Sequence, residues 1–201
     1  MPLSPPADEP AKRDGAKPTR RVQILSAAAE LFAQRGFHGV GIDDIGAAVG
    51  ISGPALYRHF RSKDAMLGEM LTGISETLLE GGQKLAAGAS ASDELLAELV
   101  SFQVDFALDN PALITVQERN LDNLADADRR QVRTLQRRYV EVWVTAIRDA
   151  LPNVPESTAR SAAHAVFGLI NSTPHNRFAD RDQMAALLNT LALGALRAVG
   201  G

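Results

Sequence analysis

Apolar residues recur at helical spacing along nearly the whole chain after Pro18, and this pattern decides the fold class. The clearest case is the segment 126–151, where apolar side chains three or four positions apart form one stripe. Its members are Val132, Leu135, Tyr139, Val142, Trp143, Ala146, Ile147 and Ala150. No segment alternates apolar and polar residues for long enough to predict a strand. The sequence therefore predicts an all-α fold.

Capping and breaking residues divide this pattern into about nine helices. Gly36, Gly50, Asn110-Pro111 and Pro152 mark clear ends, and we also expect a helix to end at Gly81-Gly82. The predicted helices cover residues 20–35, 43–49, 53–60, 62–82, 93–109, 111–124, 126–151, 156–172 and 182–199.

The sequence lacks the residues and motifs that several classes of enzyme need. There is no cysteine, which excludes disulfides, thiolate metal sites and cysteine nucleophiles. The four histidines do not have the spacing of a metal site, and no phosphate-binding glycine motif occurs. Asp43 and Asp44 are adjacent, so on a helix they diverge by about 100° and do not face one site. We therefore predict a protein that is not an enzyme and needs no cofactor.

The first residues differ in composition from the rest. Residues 1–18 are rich in Pro, Ala and mixed charge and are predicted to form a disordered arm, not a signal peptide. Residues 1–63 contain nine Lys and Arg against six Asp and Glu, whereas the remainder contains twelve against eighteen. This asymmetry suits a nucleic-acid contact at one end, although ordinary scatter also produces it. No segment is an apolar run long enough to span a bilayer. The absence of cysteine fits a reducing, cytoplasmic location, which we expect for this protein.

Two short predicted helices are joined by Gly50-Ile51-Ser52-Gly53, which is typical of a helix-turn-helix. Gly50 suits the positive φ of a tight turn. Ser52 is a good N-cap, and Pro54 is tolerated in the first turn. The pattern predicts a small core from Ile45, Val49, Ile51 and Leu56, covered from behind by Leu31 and Phe32.

The residues around this motif resemble a known family. The stretches are AAELFAQRGF at 28–37, IGAAVGIS at 45–52 and LYRHFRSKDAML at 56–67. Together they are similar to the TetR family of regulators over about residues 20–71. The resemblance implies an N-terminal three-helix DNA-binding domain at 19–62 and a C-terminal helical ligand-binding and dimerisation domain at 63–201. One departure is Gly41, where the family commonly has Ser or Thr, so a hydroxyl contact to phosphate is absent.

The resemblance also implies roles in binding double-stranded operator DNA. Phosphate contacts are expected from side chains that can donate hydrogen bonds, namely Ser52, Tyr57, His59 and Lys63. Base-facing positions are expected at Gly53, Ala55 and Arg58, where Arg58 could pair with a guanine. Arg20 and Arg21 are expected to add contacts from the arm. His59 could instead form a structural hydrogen bond. Lys63 could instead be a solvated charge at the start of a helix.

The C-terminal helices contain many aromatic and polar side chains suited to a ligand between helices. Ordinary core packing is the alternative for each apolar one. The candidate ligand-binding residues are Phe102, Phe106, Gln117, Arg119, Tyr139, Trp143, His164, Phe167 and Asn171, with Gln103, Ile114, Glu118 and His175 as further candidates.

Five arginines cluster at 129–138, and Arg130, Arg133 and Arg137 share a helix face. Two interpretations stay open. The face is solvated, or its guanidinium groups bind the phosphates of an effector such as an acyl-CoA.

The last two helices carry apolar stripes that the resemblance assigns to a homodimer. These are Ala159, Ala163, Val166, Phe167 and Ile170, and then Met184, Leu187, Leu188, Leu191, Ala195 and Leu196. The predicted function is a homodimeric transcriptional regulator, a repressor that a small apolar or amphipathic effector releases from its operator. The alternative is a helical module that sequesters lipid and whose helix-turn-helix is vestigial.

Overall fold

The computed structural model describes residues 19–175 and 179–200, and the regular structure within these ranges is helical throughout. The predicted arm at 1–18 lies outside the described residues. The helices within these ranges are α1 (Arg20–Arg35), α2 (Ile42–Ala48), α3 (Gly53–Leu56), α4 (Lys63–Gly88), α5 (Ser92–Asp109), α6 (Pro111–Asn120), α7 (Asp126–Ala150), α8 (Glu156–Ile170) and α9 (Arg181–Gly200). Short 3-10 turns follow α6 and α8. The all-α prediction is confirmed.

Most predicted boundaries agree within two residues, but three predicted helix ends were wrong. Helix α6 ends at Asn120, four residues before its predicted end, and a 3-10 turn follows it. Helix α4 continues to Gly88 instead of ending at Gly81-Gly82. Both glycines lie where rings from other helices pack, because a Cβ would come within 2.2 Å of Phe102 at Gly81 and within 2.7 Å of Tyr139 at Gly82. Helix α3, which the resemblance implies is the recognition helix, is shorter than expected and passes into turns after Leu56. Residues 52–60, which comprise α3 and these turns, are called the recognition element below.

The first three helices share a small core with the start of α4. Ile24 and Phe32 of α1, Ile45 of α2 and Leu56 of α3 are buried, as the periodicity predicts. Phe37, in the loop after α1, packs edge-to-face on Phe32 with ring centroids 5.1 Å apart. Met66 and Leu67 at the start of α4 are also buried, so α4 belongs to the core of both parts. The division at residues 62 and 63 stays a prediction.

Helix α7 is central to the second part of the chain, while α6 packs against α1, α4 and α5. Helix α7 contacts α4, α5 and α8, and α9 packs against α5 and α8. The predicted stripe of α7 faces the interior, where Trp143 is buried against Phe167 with ring centroids 4.9 Å apart. Tyr139 stacks on the same ring. Within the described ranges, no helix combines the length and hydropathy needed to cross a membrane.

Candidate DNA interface and ligand cavity

The turn between α2 and α3 is built on two glycines. Gly50 adopts a φ of 70°, which favours glycine. The Ile51 amide donates to the carbonyl of Gly46 over 2.9 Å, which closes the turn. Gly46 is buried, and a Cβ there would lie 2.7 Å from the Ile51 carbonyl oxygen. Helix α2 and the turn are therefore in backbone contact, which fixes the direction of α3.

Ser52 starts the recognition helix as predicted. Its Oγ accepts from the Ala55 amide at 3.3 Å, so the hydroxyl caps α3 and keeps its own proton for another acceptor. At the other end of the motif, Gly41 begins α2 without a side-chain cap. The Asp44 carboxylate compensates by accepting from the Gly41 amide at 2.8 Å.

The outer face of the recognition element carries polar side chains that an external group can contact. The Tyr57 side chain is 55% exposed, and Arg58 beside it is exposed. Neither side chain has a hydrogen-bond partner among residues 19–175 and 179–200. His59 and Ala55 are half-buried on the same element. This face therefore offers a phenol, a guanidinium and an imidazole to an external acceptor.

Gly53 lies at the start of α3 and is buried. A Cβ there would lie 2.1 Å from Oδ1 of Asp43 on α2, the end of an exposed side chain. The start of α3 therefore lies close to α2, and the base-facing role of Gly53 stays a prediction.

Arg20 and Arg21 lie on the first turn of α1, not on the arm, and both side chains are engaged within the protein. Arg20 donates to the Val49 carbonyl over 2.5 Å. Arg21 forms a bidentate ion pair with Glu69 of α4 and donates to the carbonyl of His59. Its guanidinium also lies 4.1 Å from the centroid of the Phe60 ring. Arg21 therefore fastens the end of the recognition element to α1 and α4.

Lys63 has a structural task that the sequence did not indicate. Its Nζ donates to the carbonyls of Phe37 and Val40, each over 2.8 Å. These bonds hold the loop after α1 against the start of α4. An ammonium has three protons, so one is left for a phosphate, and that role of Lys63 stays a prediction.

A cavity of about 210 Å³ lies among helices α4 to α8. Its walls are aliphatic, aromatic and neutral polar. They are formed by Ser75, Leu78, Gln103, Ile114, Gln117, Gln136, Tyr139, Val140, His164, Phe167 and Asn171. Five of the nine predicted ligand-binding residues are thus brought together, namely Gln117, Tyr139, His164, Phe167 and Asn171. Their role in binding stays a prediction.

The other four candidates do not line this cavity. Trp143 is buried behind Phe167, and Phe106 is half-buried in the surrounding core. Phe102 borders an outer groove between α4 and α5. Arg119 is exposed in a groove that α6 forms with α1. Helical periodicity shows that such residues face inward, but it does not show which neighbour they face.

An arginine-lined groove adjoins the cavity. It contains Arg130, Arg133 and Arg137 of α7, as their shared face predicts, together with Arg160 of α8. The groove and the cavity have Gln136, Val140 and His164 in common. The sequence analysis missed Gln136 and Val140, although Gln136 stands three positions after Arg133 and Val140 three after Arg137. A cationic surface groove and a neutral interior cavity therefore meet at these residues.

Comparison with known proteins agrees with this architecture. The model of the bacterial regulatory proteins, tetR family, matches residues 24–70. The model of the tetracyclin repressor-like C-terminal domain matches residues 89–175. The chain belongs to the TetR family.

Curated relatives of this TetR protein include a transcriptional repressor and a transcriptional activator. It is 29% identical over 141 residues to the HTH-type transcriptional repressor KstR2 of Rhodococcus jostii, covering 70% of this chain and 67% of the relative. It is 34% identical over 87 residues to the HTH-type transcriptional activator FasR of Mycolicibacterium smegmatis. That second match covers 43% of this chain and only 40% of the relative.

Solved TetR structures have the same fold. A TetR-family regulator from Bordetella parapertussis superimposes with a TM-score of 0.78 at 26% identity, over 86% of this chain and 93% of the other. FadR from Bacillus subtilis, solved in complex with stearoyl-CoA, gives 0.67 at 15% identity, over 86% and 97%. The chain is thus a DNA-binding transcriptional regulator of the TetR family and not an enzyme.

Proposed function

We propose that this regulator is a homodimeric repressor, acting in the cytoplasm, that an amphipathic CoA thioester releases from its operator. One observation supports the effector class: the cavity and the arginine groove adjoin and share Gln136, Val140 and His164 as lining residues. A molecule that fits both must have an uncharged body and an anionic, phosphate-bearing part. Repression is proposed because KstR2, the relative matched over 70% of this chain, is named a repressor.

The route from effector to DNA runs along α4. Ser75 and Leu78 of this helix line the cavity, while Glu69 binds Arg21 and Lys63 anchors the loop after α1. A ligand that displaces α4 therefore moves the contacts that hold the end of the recognition element. Because a ligand shifts a population only through differential affinity, the effector must bind the DNA-free conformation better.

The proposal is tested by measuring operator affinity in the presence of effectors. A mobility shift on DNA upstream of the protein's own gene is titrated with hexanoyl-CoA, stearoyl-CoA and free CoA. At least one thioester at saturation is expected to weaken operator binding by 10-fold or more, within the usual range of allosteric coupling. An operator affinity unchanged by every thioester would overturn the effector class. Failure to bind any specific DNA would favour a sequestering module instead.

Arg58 and Tyr57 are expected to contribute to DNA binding in different ways. Arg58→Ala should remove about 1–3 kcal/mol of discrimination at one base pair, because a guanidinium can read a guanine edge. Tyr57→Ala should weaken binding to all sequences similarly, since a phosphate contact has no sequence preference. Fluorescence anisotropy on the operator and on single-base variants measures both.

Arg61→Ala is the matched control for Arg58→Ala, because Arg61 is an exposed arginine nearby and its loss removes the same charge. It should weaken binding without changing the base preference. If Arg58→Ala lowers affinity equally for operator and random DNA, the base-reading role is wrong.

The proposed dimer is expected to form through α8 and α9. The stripe predicted for α8 is buried within the chain at Ala159, Ala163, Val166 and Ile170, so the exposed apolar side chains come from α9. Helix α9 buries Met184, Leu188 and Leu196 within the chain, but it leaves Leu187 and Leu191 each 46% exposed one turn apart. Small residues surround them on the same face, at Gly194 and Ala195. A second copy of this face would cover the leucines, and two linked recognition elements could then meet successive major grooves.

Leu187→Glu combined with Leu191→Glu is expected to give a monomer, because the carboxylates would be desolvated and unpaired in the interface. Analytical ultracentrifugation without DNA measures the change, and operator affinity should fall with it. Val22→Glu is the control, since Val22 is 52% exposed on α1 and lies outside this face. If the double variant is still a dimer, another surface forms the interface.

A further inference from the structure

The cavity differs sharply in charge from the groove beside it. None of the residues lining the cavity is Asp, Glu, Lys or Arg, whereas four arginines line the groove. The one lining side chain that can carry a positive charge, His164, also lines the groove and so lies where the two spaces adjoin. An ion deeper in the cavity would lose its hydration without gaining a counter-ion, at a cost of several kcal/mol. The part of a ligand that enters the cavity beyond His164 is therefore uncharged.

The cavity is also small. Its volume of about 210 Å³ compares with about 660 Å³ for the arginine groove. Pockets for drug-sized ligands have about 300–1,000 Å³, so this cavity lies below that range. It suits a short acyl chain better than an octadecanoyl chain.

One wall of the cavity is built to meet an oxygen atom. Gln103 is only 2% exposed, and its Oε1 accepts from the Tyr139 hydroxyl at 3.0 Å. Its Nε2 donates to Oδ1 of Asn171 at 3.4 Å. One N–H of Gln103 and both of Asn171 then have no acceptor among the described residues. Burial raises the pKa of Tyr139, so its phenol stays a neutral donor over the working pH range.

The Gln103 amide sets a requirement on the ligand, because its second N–H is buried without an acceptor among the described residues. Such a donor costs about 1–3 kcal/mol, and an acceptor oxygen on the ligand would remove that cost. The half-buried Asn171 amide, hydrogen-bonded to Gln103, offers a second donor beside it. A saturated hydrocarbon chain has no such oxygen. We propose that the acyl group of the effector is short and uncharged and carries an acceptor oxygen beyond the thioester, recognised by Gln103 and Asn171. This inference rests on the proposed CoA-thioester function.

Calorimetric titration of the full-length protein with 3-oxohexanoyl-CoA, hexanoyl-CoA and stearoyl-CoA tests the proposal. The 3-oxo compound is expected to bind about 10-fold more tightly than hexanoyl-CoA, the ratio that one additional hydrogen bond gives. Stearoyl-CoA should bind more weakly than either. Equal affinity for the two six-carbon thioesters, or tightest binding of stearoyl-CoA, would overturn the proposal while leaving the CoA-thioester function standing.

CoA-free probes separate the two possible failures. Methyl 3-oxohexanoate and methyl hexanoate are compared by ligand-observed NMR, and the oxo ester should again be preferred. If no thioester binds but this preference is present, the CoA assignment is wrong and the inference about the cavity holds. If neither ester is preferred, the inference is wrong.

Two variants test whether Gln103 and Asn171 recognise the acceptor oxygen of the ligand. Gln103→Leu combined with Tyr139→Phe removes a complete hydrogen-bonded pair, and the affinity ratio of the two six-carbon thioesters should fall to about one. Asn171→Ala, at a half-buried position, should lower the ratio even if the double variant does not fold. Asn189→Ala removes an amide on α9 outside the cavity and should keep the ratio. A ratio unchanged in Asn171→Ala and in the folded double variant would contradict the assignment.

Discussion

Replacing Arg133 and Arg137 together with alanine is expected to lower the affinity for CoA thioesters by more than about 100-fold. Each guanidinium that binds a phosphate forms a charge-assisted hydrogen bond worth about 1.5–3 kcal/mol, so two contribute at least about 3 kcal/mol. Both side chains are exposed in the groove. Arg137 has one weak internal bond, to Thr134 at 3.4 Å, and so remains available to a ligand.

Arg160 in the same groove is a poorer candidate for this contact. Its guanidinium is already bound to Glu141 and Glu156, with one bond of 2.5 Å to Glu141 and one of 2.9 Å to Glu156. These carboxylates raise the pKa of Arg160 and neutralise its charge locally. We therefore assign the binding of the CoA phosphates to Arg133 and Arg137 of α7. Arg130 is the third arginine on the same face of this helix.

The matched control comes from the same helix. Arg129→Ala with Arg138→Ala removes the same charge from α7, but neither residue lines the groove, and Arg129 is paired with Asp126. Titration calorimetry should show a much smaller loss in this control. If the two double variants lose equal affinity, the arginines act only through net charge and the solvated-face interpretation is preferred.

The sequence predicted most of the fold because the helices are amphipathic and separated by strong breakers. The failure at Gly81-Gly82 has a physical cause. A glycine pair looks like a helix end, yet here it admits the rings of Phe102 and Tyr139, which stand 21 and 57 positions later in the chain. Local pattern contains no information about such a distant contact.

The candidate site was predicted less completely. A specific motif located the recognition element, and five ligand candidates meet in the cavity. The structural tasks of Arg21 and Lys63 were missed, since each depends on backbone carbonyls or a carboxylate from a distant segment of the chain. Exposed basic residues near a DNA-binding motif are easily taken for DNA contacts, and only their internal partners show the second role.

Gly46→Ala is expected to weaken operator binding by about 100-fold while the rest of the protein stays folded. The new Cβ would lie 2.7 Å from the carbonyl oxygen of Ile51 and 3.3 Å from the Gly53 nitrogen. Backbone atoms cannot rotate away as a flexible side chain can, so the turn must move and α3 must change direction. Such overpacking costs about 1–3 kcal/mol. In a dimer both recognition elements are displaced. A loss of about 1.4 kcal/mol of binding free energy at each one lowers the affinity tenfold twice, which gives about 100-fold.

Gly73→Ala is the control that separates helix propensity from geometry. Gly73 also lies inside a helix, α4, but a Cβ there has nothing within 4 Å. Its replacement should raise the free energy of unfolding by about 1 kcal/mol, because alanine is the better helix former, and leave DNA affinity intact. Thermal unfolding and anisotropy on the operator measure the two variants together. If Gly46→Ala behaved like Gly73→Ala, the close contact between α2 and the turn would not be what directs the recognition element.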